Sequence, residues 1–446
     1  MPEFLRLVPP DEARNLLLSH LSNPFESDQS GVSRKSEMID TASSLGRVTV
    51  EDIIAPHALP EFPRSTVDGF AVQAGDTYGA TEALPAYLNL IGEVPMGRAA
   101  SFVLDTGQCS LIHTGGMLPD GSDAVVMVEY SQQTSKTPKN NNSGLNEIEI
   151  TKAVAKGENV IAIGEDVVKG TVVIPRGRRL RSAEIGGLMA LGLLDIRVAT
   201  RIKVGLISSG DEIIEPGKVP VRGQVRDVNA YTLASLVTKS GGEAIYYGIV
   251  PDLLASLKST VAKALTECDV IVITAGSSAS TRDMTAEVIR SLGQPGVLVH
   301  GINTKPGKPT ILGVCSGKAV IGLPGNPVSA LVNGYLFVVP VIEKLLGLHS
   351  GKNMSLHASI PARLTVNIPS QAGREDWWPV KLTPTPSADA HIMDKQLAMF
   401  MDRWQAEPIF GKSNLIFSLV SADGLLRIPA DVTGFNAGEM VEVILF

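Results

Sequence analysis

Apolar and polar positions follow two rhythms along this chain. From Arg201 to Leu346, short apolar runs take turns with longer segments whose apolar residues recur every three or four positions. KVGLISSG (203–210), EAIYYGIV (243–250), VIVITAG (270–276) and VLVHGI (297–302) read as strands. NAYTLASLVTKSGG (229–242), LASLKSTVAKALTECD (254–269) and TAEVIRSLG (285–293) read as helices. TILGVCSGKAVIGLPGNP (310–327) and a long apolar helix beginning near Val328 complete the unit. This alternation predicts a parallel α/β sheet with helices on both faces, and ligands bind such sheets beyond the carboxyl ends of the strands. The polar breaks SSGDE, AGSSASTRD, NTKPGKP and LPGNPVS fall at those ends.

The flanking segments have a different texture. PPDEARNLLLSHL, near the N-terminus, has an acidic start and a leucine-rich face at helical spacing. From Ile53 to Glu149 the chain is β-like, with AYLNLIGEV, GQCSLIHTGG and DAVVMVEY separated by Gly and Pro. Within it, SQQTSKTPKNNNSGLNE (131–147) is polar and of low complexity, and predicts a mobile hairpin loop. GENVIAIGEDVVKGTVVIPRGRRL (157–180) gives two apolar runs, and SAEIGGLMALGLLDI (182–196) an amphipathic helix that Ser182 caps. After residue 346, SLHASIPARLTVNI, DWWPVKLTPTP and EMVEVILF predict strands of a small sandwich or barrel.

Composition narrows the class. A chain of 446 residues is too long for one ordinary core, so two to four domains are expected. A net charge of −7 argues against a nucleic-acid binder that works through bulk electrostatics, while leaving room for a local anion site. Cys109, Cys268 and Cys315 are far apart and the seven histidines are scattered, which excludes a disulfide framework or structural zinc pattern and fits a reducing cytoplasm. The N-terminal residues lack the apolar stretch of a secretory signal. The most membrane-like run, Tyr335 to Ile342, contains Pro340, is too short to span a bilayer, and reads as a buried helix.

Two chemical signals then emerge. INTKPGKP (302–309) holds Lys305 and Lys308 three positions apart between prolines, which alone is an ordinary surface turn or an anion site. GLPGNPVSA (322–330) enters a helix through a Gly/Pro-rich turn, either a plain helix start or an anion site made by free N–H groups, with Ser329 as an added donor. Together they suit a dianion or an oligophosphate. Asp68, Asp166, Asp211, Glu212, Asp227 and Asp283 each sit in a Gly- or Ser-rich break between apolar strands. Hard oxygen ligands of this kind hold Mg²⁺ through one or two carboxylates plus substrate phosphates. Cations for an oxyanion beside carboxylates for magnesium point to phosphoryl or nucleotidyl chemistry.

At this point the chain resembles the molybdopterin molybdotransferases, a family that includes the C-terminal domain of gephyrin. The resemblance rests on RSTVDGFAV (64–72), HTGGMLPDGSDAVVMVE (113–129), GEDV (164–167), ISSGDEI (207–213), GQVRDVNAYTL (223–233), KPGKP (305–309), GLPGNPVSA (322–330), GREDWWPV (373–380) and the C-terminal SADGLLRIPADVTGFNAGEMVEVILF. It implies insertion of molybdate or tungstate into adenylylated molybdopterin, with Mg²⁺ assisting and AMP released. It also implies an α/β multidomain fold: a central molybdopterin-binding-like α/β domain, a β-rich domain, a small linking domain and a C-terminal β-barrel or sandwich. The boundaries expected are 1–25 for a helix packed on the α/β domain, 26–55 with 153–198 for the linking domain, 56–152 for the β-rich domain, 199–345 for the α/β domain and 346–446 for the last. The resemblance implies a cytoplasmic homodimer with its active cleft between subunits. Transient contact with the adenylyltransferase and with recipient molybdoenzymes is implied too; nucleic acid and membrane are not.

Carried over residue by residue, the resemblance implies an oxyanion site of Lys305, Lys308, Ser329, Arg374 and Ser413. Catalytic roles fall on Asp68, Thr114, Asp166, Glu212 and Asp283, with Asp283 and Glu212 at the metal. Pterin and nucleotide contacts fall on Ser209, Gly210, Asp227, Asn229, Gly276, Ser278, Pro324, Gly325 and Asn326. Two departures stand out. Ala275 and Ser280 replace glycines of the family's Gly-Gly-x-Ser-x-Gly loop, and Ser413 is flanked by Lys412 and Asn414 in place of glycines. Two other readings share some of these residues: the pathway's adenylyltransferase, whose fold resembles residues 201–345, and a non-enzymatic scaffold.

Overall fold

The computed structural model describes residues 7–22, 36–134, 147–275, 279–348, 358–385 and 403–446. Helix α1 (Pro10–Ser19) opens the chain, with Asp11 and Glu12 in its first turn where the helix dipole favours negative charge. It buries Ala13 and Leu17 in the same core as the strands near residue 300. Lys344 clamps it by donating to the Leu18 carbonyl at 2.7 Å. The strand Ser36–Asp40 next pairs antiparallel with Asp195–Ala199, so segments about 160 residues apart in sequence share one small sheet.

Strands β1 (Gly69–Val72), β2 (Ala86–Val94), β3 (Gln108–Ile112), β4 (Ala124–Met127), β5 (Ser131–Thr134) and β6 (Glu147–Ile150) form a six-stranded sheet in the order β4-β1-β3-β2-β6-β5. Its two faces bury separate apolar sets, Val72 and Val126 on one side and Ala71 and Val125 on the other. The polar segment expected to be a hairpin loop joins β5 to β6, which pair antiparallel. Residues 135–146 of that loop lie outside the described residues.

Helix α2 (Ser182–Ala190) is capped differently from expectation. Ser182 is its first helical residue, and Arg181 precedes it with its N–H donating to the Glu184 carboxylate at 3.0 Å. The longer glutamate reaches back to an orphan donor and also meets the Arg181 guanidinium at 2.7 Å.

The central domain contains β7 (Ile202–Ser209), α3 (Asn229–Lys239), β8 (Gly242–Val250), α4 (Leu254–Glu267), β9 (Val270–Ala275), α5 (Ala279–Ser291), β10 (Pro295–His300), β11 (Ile311–Cys315) and β12 (Lys318–Pro324). Its strand order is β8-β7-β9-β12-β11-β10. Strand β9 shows why the apolar runs are continuous. Val270 and Val272 enter the core shared with α1 and α3, while Ile271 and Ile273 enter the core beneath α4 and α5. The sheet is not wholly parallel. Strand β11 runs against both neighbours because a tight turn at Ser316 and Gly317, both at positive φ, joins it to β12 as a hairpin. The other five strands end at one edge.

Helix α6 (Pro327–Leu346) follows β12, with a π-helical turn at Gly334–Val338. It is long and apolar enough to cross a membrane, but 78% of its apolar window is buried inside the protein, as a core helix requires. The last domain has β13 (Ser359–Leu364), β14 (Glu375–Pro384), β15 (Trp404–Pro408), β16 (Gly424–Ile428) and β17 (Met440–Leu445). The order β14-β15-β13-β17-β16 closes through β16–β14 pairing into a five-stranded barrel around Leu364, Val380, Leu426 and Val443. The two-residue strand Thr304–Lys305 joins β14 in parallel, with Lys305 opposite Asp376. The central domain therefore donates a strand to the barrel sheet.

Candidate active site

That strand pairing positions the two lysines. The segment 302–309 leaves the carboxyl end of β10, pairs with β14 over two residues, and returns into β11. Beneath it, the buried Asn333 of α6 donates to the carbonyls of Pro306 at 3.3 Å and Ser329 at 2.8 Å. Gly307 lies on that amide at φ +107°, where an added Cβ would come within 1.7 Å of Asn333 Nδ2. Glycine is required here by both conformation and space.

Between this loop, the start of α6 and the barrel lies a cavity of about 760 Å³. Lys305, Lys308, Ser329, Arg374 and Ser413 all line it, as do Pro324 and Asn326. No acidic residue lines it among the described residues. Arg374 enters from the barrel side with its Nε and Nη2 donating to Asp376 at 2.7 and 2.9 Å. Asn326 Nδ2 donates to Ser413 Oγ at 3.0 Å, and Val328 N–H donates to the Ser413 carbonyl at 3.0 Å. One of the N–H groups expected to be free at this helix start is thus already satisfied by the barrel loop. Lys305 Nζ stands 5.3 Å from the Trp378 ring centre, within cation–π range.

Trp378 and Lys412 are among the lining residues that lie outside the set expected from the sequence. Their signals were the aromatic pair that follows Arg374 and the lysine that stands beside Ser413, features that acquire meaning only when the barrel closes.

The other candidates occupy different places. Ser209, Gly210, Pro324 and Gly325 end or follow β7 and β12 at the same sheet edge. Asp227 is buried and its carboxylate accepts from Ser208 Oγ at 2.5 Å and from the Ala230 N–H at 3.1 Å, so it fastens the start of α3 to β7. Ser209 Oγ donates to Asp252 at 2.7 Å. Asn229 Nδ2 donates to the Gly325 carbonyl at 2.8 Å, while its buried Oδ1 has no hydrogen-bond partner among the described residues. Gly276 and Ser278 lie outside the described residues.

Glu212 and Asp283 are exposed, one following β7 and the other in α5, after the neighbouring strand β9. Among the described residues, no three His, Cys, Asp or Glu side chains stand together as a metal cage. Each carboxylate is a hard oxygen donor of the kind through which Mg²⁺ binds together with substrate phosphate and water.

Asp68 and Thr114 meet in the β-rich domain and do not line the cavity. Thr114 donates its N–H to Asp68 Oδ1 at 2.7 Å and its hydroxyl at 3.1 Å. The backbone bond, then the hydroxyl, holds this exposed carboxyl below its ordinary value. Asp166 is exposed in a separate turn, where its N–H donates to the Leu59 carbonyl at 3.1 Å. The three cysteines are buried, and burial pushes Cys109 up to about 12 and Cys315 to about 11, values that suit packing.

Comparison with known proteins accounts for nearly the whole chain. Residues 8–192 match the model of the MoeA N-terminal region (domains I and II), 205–344 that of a probable molybdopterin binding domain, and 361–446 that of the MoeA C-terminal region (domain IV). A putative molybdopterin biosynthesis protein of Methanocaldococcus jannaschii is 34% identical over 98% of each chain. A molybdopterin molybdenumtransferase of Haemophilus influenzae is 32% identical over 82% of this chain and 84% of its own. A solved molybdopterin biosynthesis MoeA protein of Pyrococcus horikoshii superposes with a TM-score of 0.78 at 32% identity, covering 99% of this chain and 100% of that one.

Proposed function

Because the chain belongs to the MoeA family of molybdopterin molybdenumtransferases, we propose that it inserts molybdate or tungstate into adenylylated molybdopterin and releases AMP. The observation that carries this reading is the shared cavity of Lys305, Lys308, Arg374, Ser329 and Ser413. Lysine ammonium groups and a guanidinium edge, with two hydroxyls, supply donors on several sides of a tetrahedral dianion. Among the described residues no carboxylate lines the cavity, so Lys305 and Lys308 face no acid within the lining, and Arg374 is paired behind it with Asp376.

In this reading the organic substrate lies along the sheet edge, from Ser209, Gly210 and Asn229 to Pro324, Gly325 and Asn326. The Asn229 Oδ1, without a partner among the described residues, supports a ligand donor there, since a buried carbonyl without a hydrogen bond is costly. Glu212 and Asp283 would hold Mg²⁺, which supplies charge neutralisation at the phosphoanhydride. Lys305, Lys308 and Arg374 hold the oxyanion against the dithiolene, so that positioning and electrostatics contribute most of the rate. Asp68, Thr114 and Asp166 reach this edge from the partner in a homodimer. The test supplies purified protein with adenylylated molybdopterin, Mg²⁺ and each oxyanion in turn. AMP release that needs both oxyanion and Mg²⁺ is expected; no release with either oxyanion sinks the reading.

A further inference from the structure

Arg374 reaches the cavity with its orientation already fixed. Its Nε and Nη2 donate to the two oxygens of Asp376, at 2.7 and 2.9 Å, and the Asp376 side chain has no exposed surface. A two-point contact with a buried carboxylate sets both the plane and the rotamer of a guanidinium. The remaining edge carries Nη1, which among the described residues makes only a long 3.4 Å contact with Gln371. Asp376 is itself held on both sides. It lies on β14, opposite Lys305 of the donated strand and opposite Ile428 of β16. The residue that orients Arg374 therefore shares a strand rung with one of the cavity lysines.

We propose that Asp376 is a positioning residue for oxyanion binding: it holds the free edge of Arg374 toward the cavity volume that Lys305 and Lys308 face. The inference rests on the oxyanion reading of the cavity. Without Asp376, Arg374 would have to lose the freedom of its long side chain when the ligand binds, and binding would weaken. Its charge acts in the opposite direction, because a carboxylate near an anion site opposes an anion. Removing Asp376 thus separates the two effects by sign.

The test is calorimetric titration of the full chain with molybdate. Asp376→Asn removes the charge and presents an amide donor to the guanidinium, and a loss of affinity of about tenfold is expected from the displaced Arg374. Asp376→Glu keeps the charge but shifts the carboxylate by one methylene, and a severalfold loss is expected; this variant decides the matter if the asparagine variant does not fold. In an Arg374→Ala background, Asp376→Asn should change affinity less than about twofold, since a residue acting through another gives non-additive effects. Asparagine and glutamate variants that bind molybdate as tightly as wild type or tighter, or losses that add to that of Arg374→Ala, overturn the proposal. If Arg374→Ala and Lys305→Ala both leave molybdate affinity unchanged, the oxyanion reading itself falls.

Discussion

Lys305 and Lys308 show how much one residue's meaning depends on its surroundings. In the sequence they are two cations in a Pro/Gly turn. In the fold both line one cavity with Arg374 from a segment 66 or more positions away, on the far side of α6. Replacing either with alanine is expected to weaken molybdate binding roughly tenfold, since each removes one charge-assisted contact; titration calorimetry reads the change. Asp68 supports a second prediction at this scale. Its folded carboxyl titrates below the ordinary value because Thr114 donates twice to one oxygen. Thr114→Val should raise that titration but leave it below the ordinary range, because the larger contribution comes from the backbone N–H. NMR of the Asp68 carboxyl checks both directions. The pairing of Asp68 with Thr114 was not readable from their separation of 46 positions; it is made by β1 and β3 lying side by side.

Among the elements, strands and helices of the central domain were largely legible, because continuous apolar runs and helical spacing are local signals. Strand β11 was not, since direction within a sheet is decided by the hairpin at Ser316 and Gly317 and leaves no periodic mark. The cap of α2 was misplaced for a similar reason. Serine before an apolar run is the commoner cap, and here Glu184 takes that role through a longer reach. Arg181 and the helix start pull the Glu184 carboxyl down to about 2. Its contribution to stability is therefore complete above the usual carboxylate value and is lost as pH falls from about 4.5 through about 2. Glu184→Gln should lower thermal stability at neutral pH and flatten the loss of stability across that acid window, as followed by circular dichroism. In the lysine loop, Gly307→Ala would place a methyl group on Asn333 and disturb the turn that carries Lys308. An affinity for molybdate no better than that of Lys308→Ala is expected.

At the scale of the whole molecule, two domains build the cavity and a third supplies a separate acidic set. The α/β domain contributes the lysine loop and the start of α6, and the barrel contributes Arg374, Trp378 and the loop around Ser413. Asp68 and Thr114 stand on another sheet. If a homodimer joins the two sets, co-expressed Asp68→Asn and Lys305→Ala chains would form mixed dimers with one intact site. Such a mixture should recover about a quarter of wild-type AMP release from two variants that are each impaired alone. Activity no higher than the mean of the separate variants would mean that both sets serve the site from one chain.

The sequence by itself determined the alternation of strands and helices, the burial of α6, the β texture of the flanks and the family, because these reside in local periodicity and in long ordered motifs. Only the tertiary structure decided that Thr304–Lys305 becomes a strand of the barrel sheet, that Asp376 is the buried partner of Arg374, and that Trp378 and Lys412 line the cavity. The donated strand and the lining depend on segments about 70 to 110 residues apart, while Asp376 is only two positions from Arg374 and gains its burial from the pairing of its strand with Lys305 and Ile428. Such pairing is fixed by sheet register and barrel closure, for which no short window of the chain carries a signal.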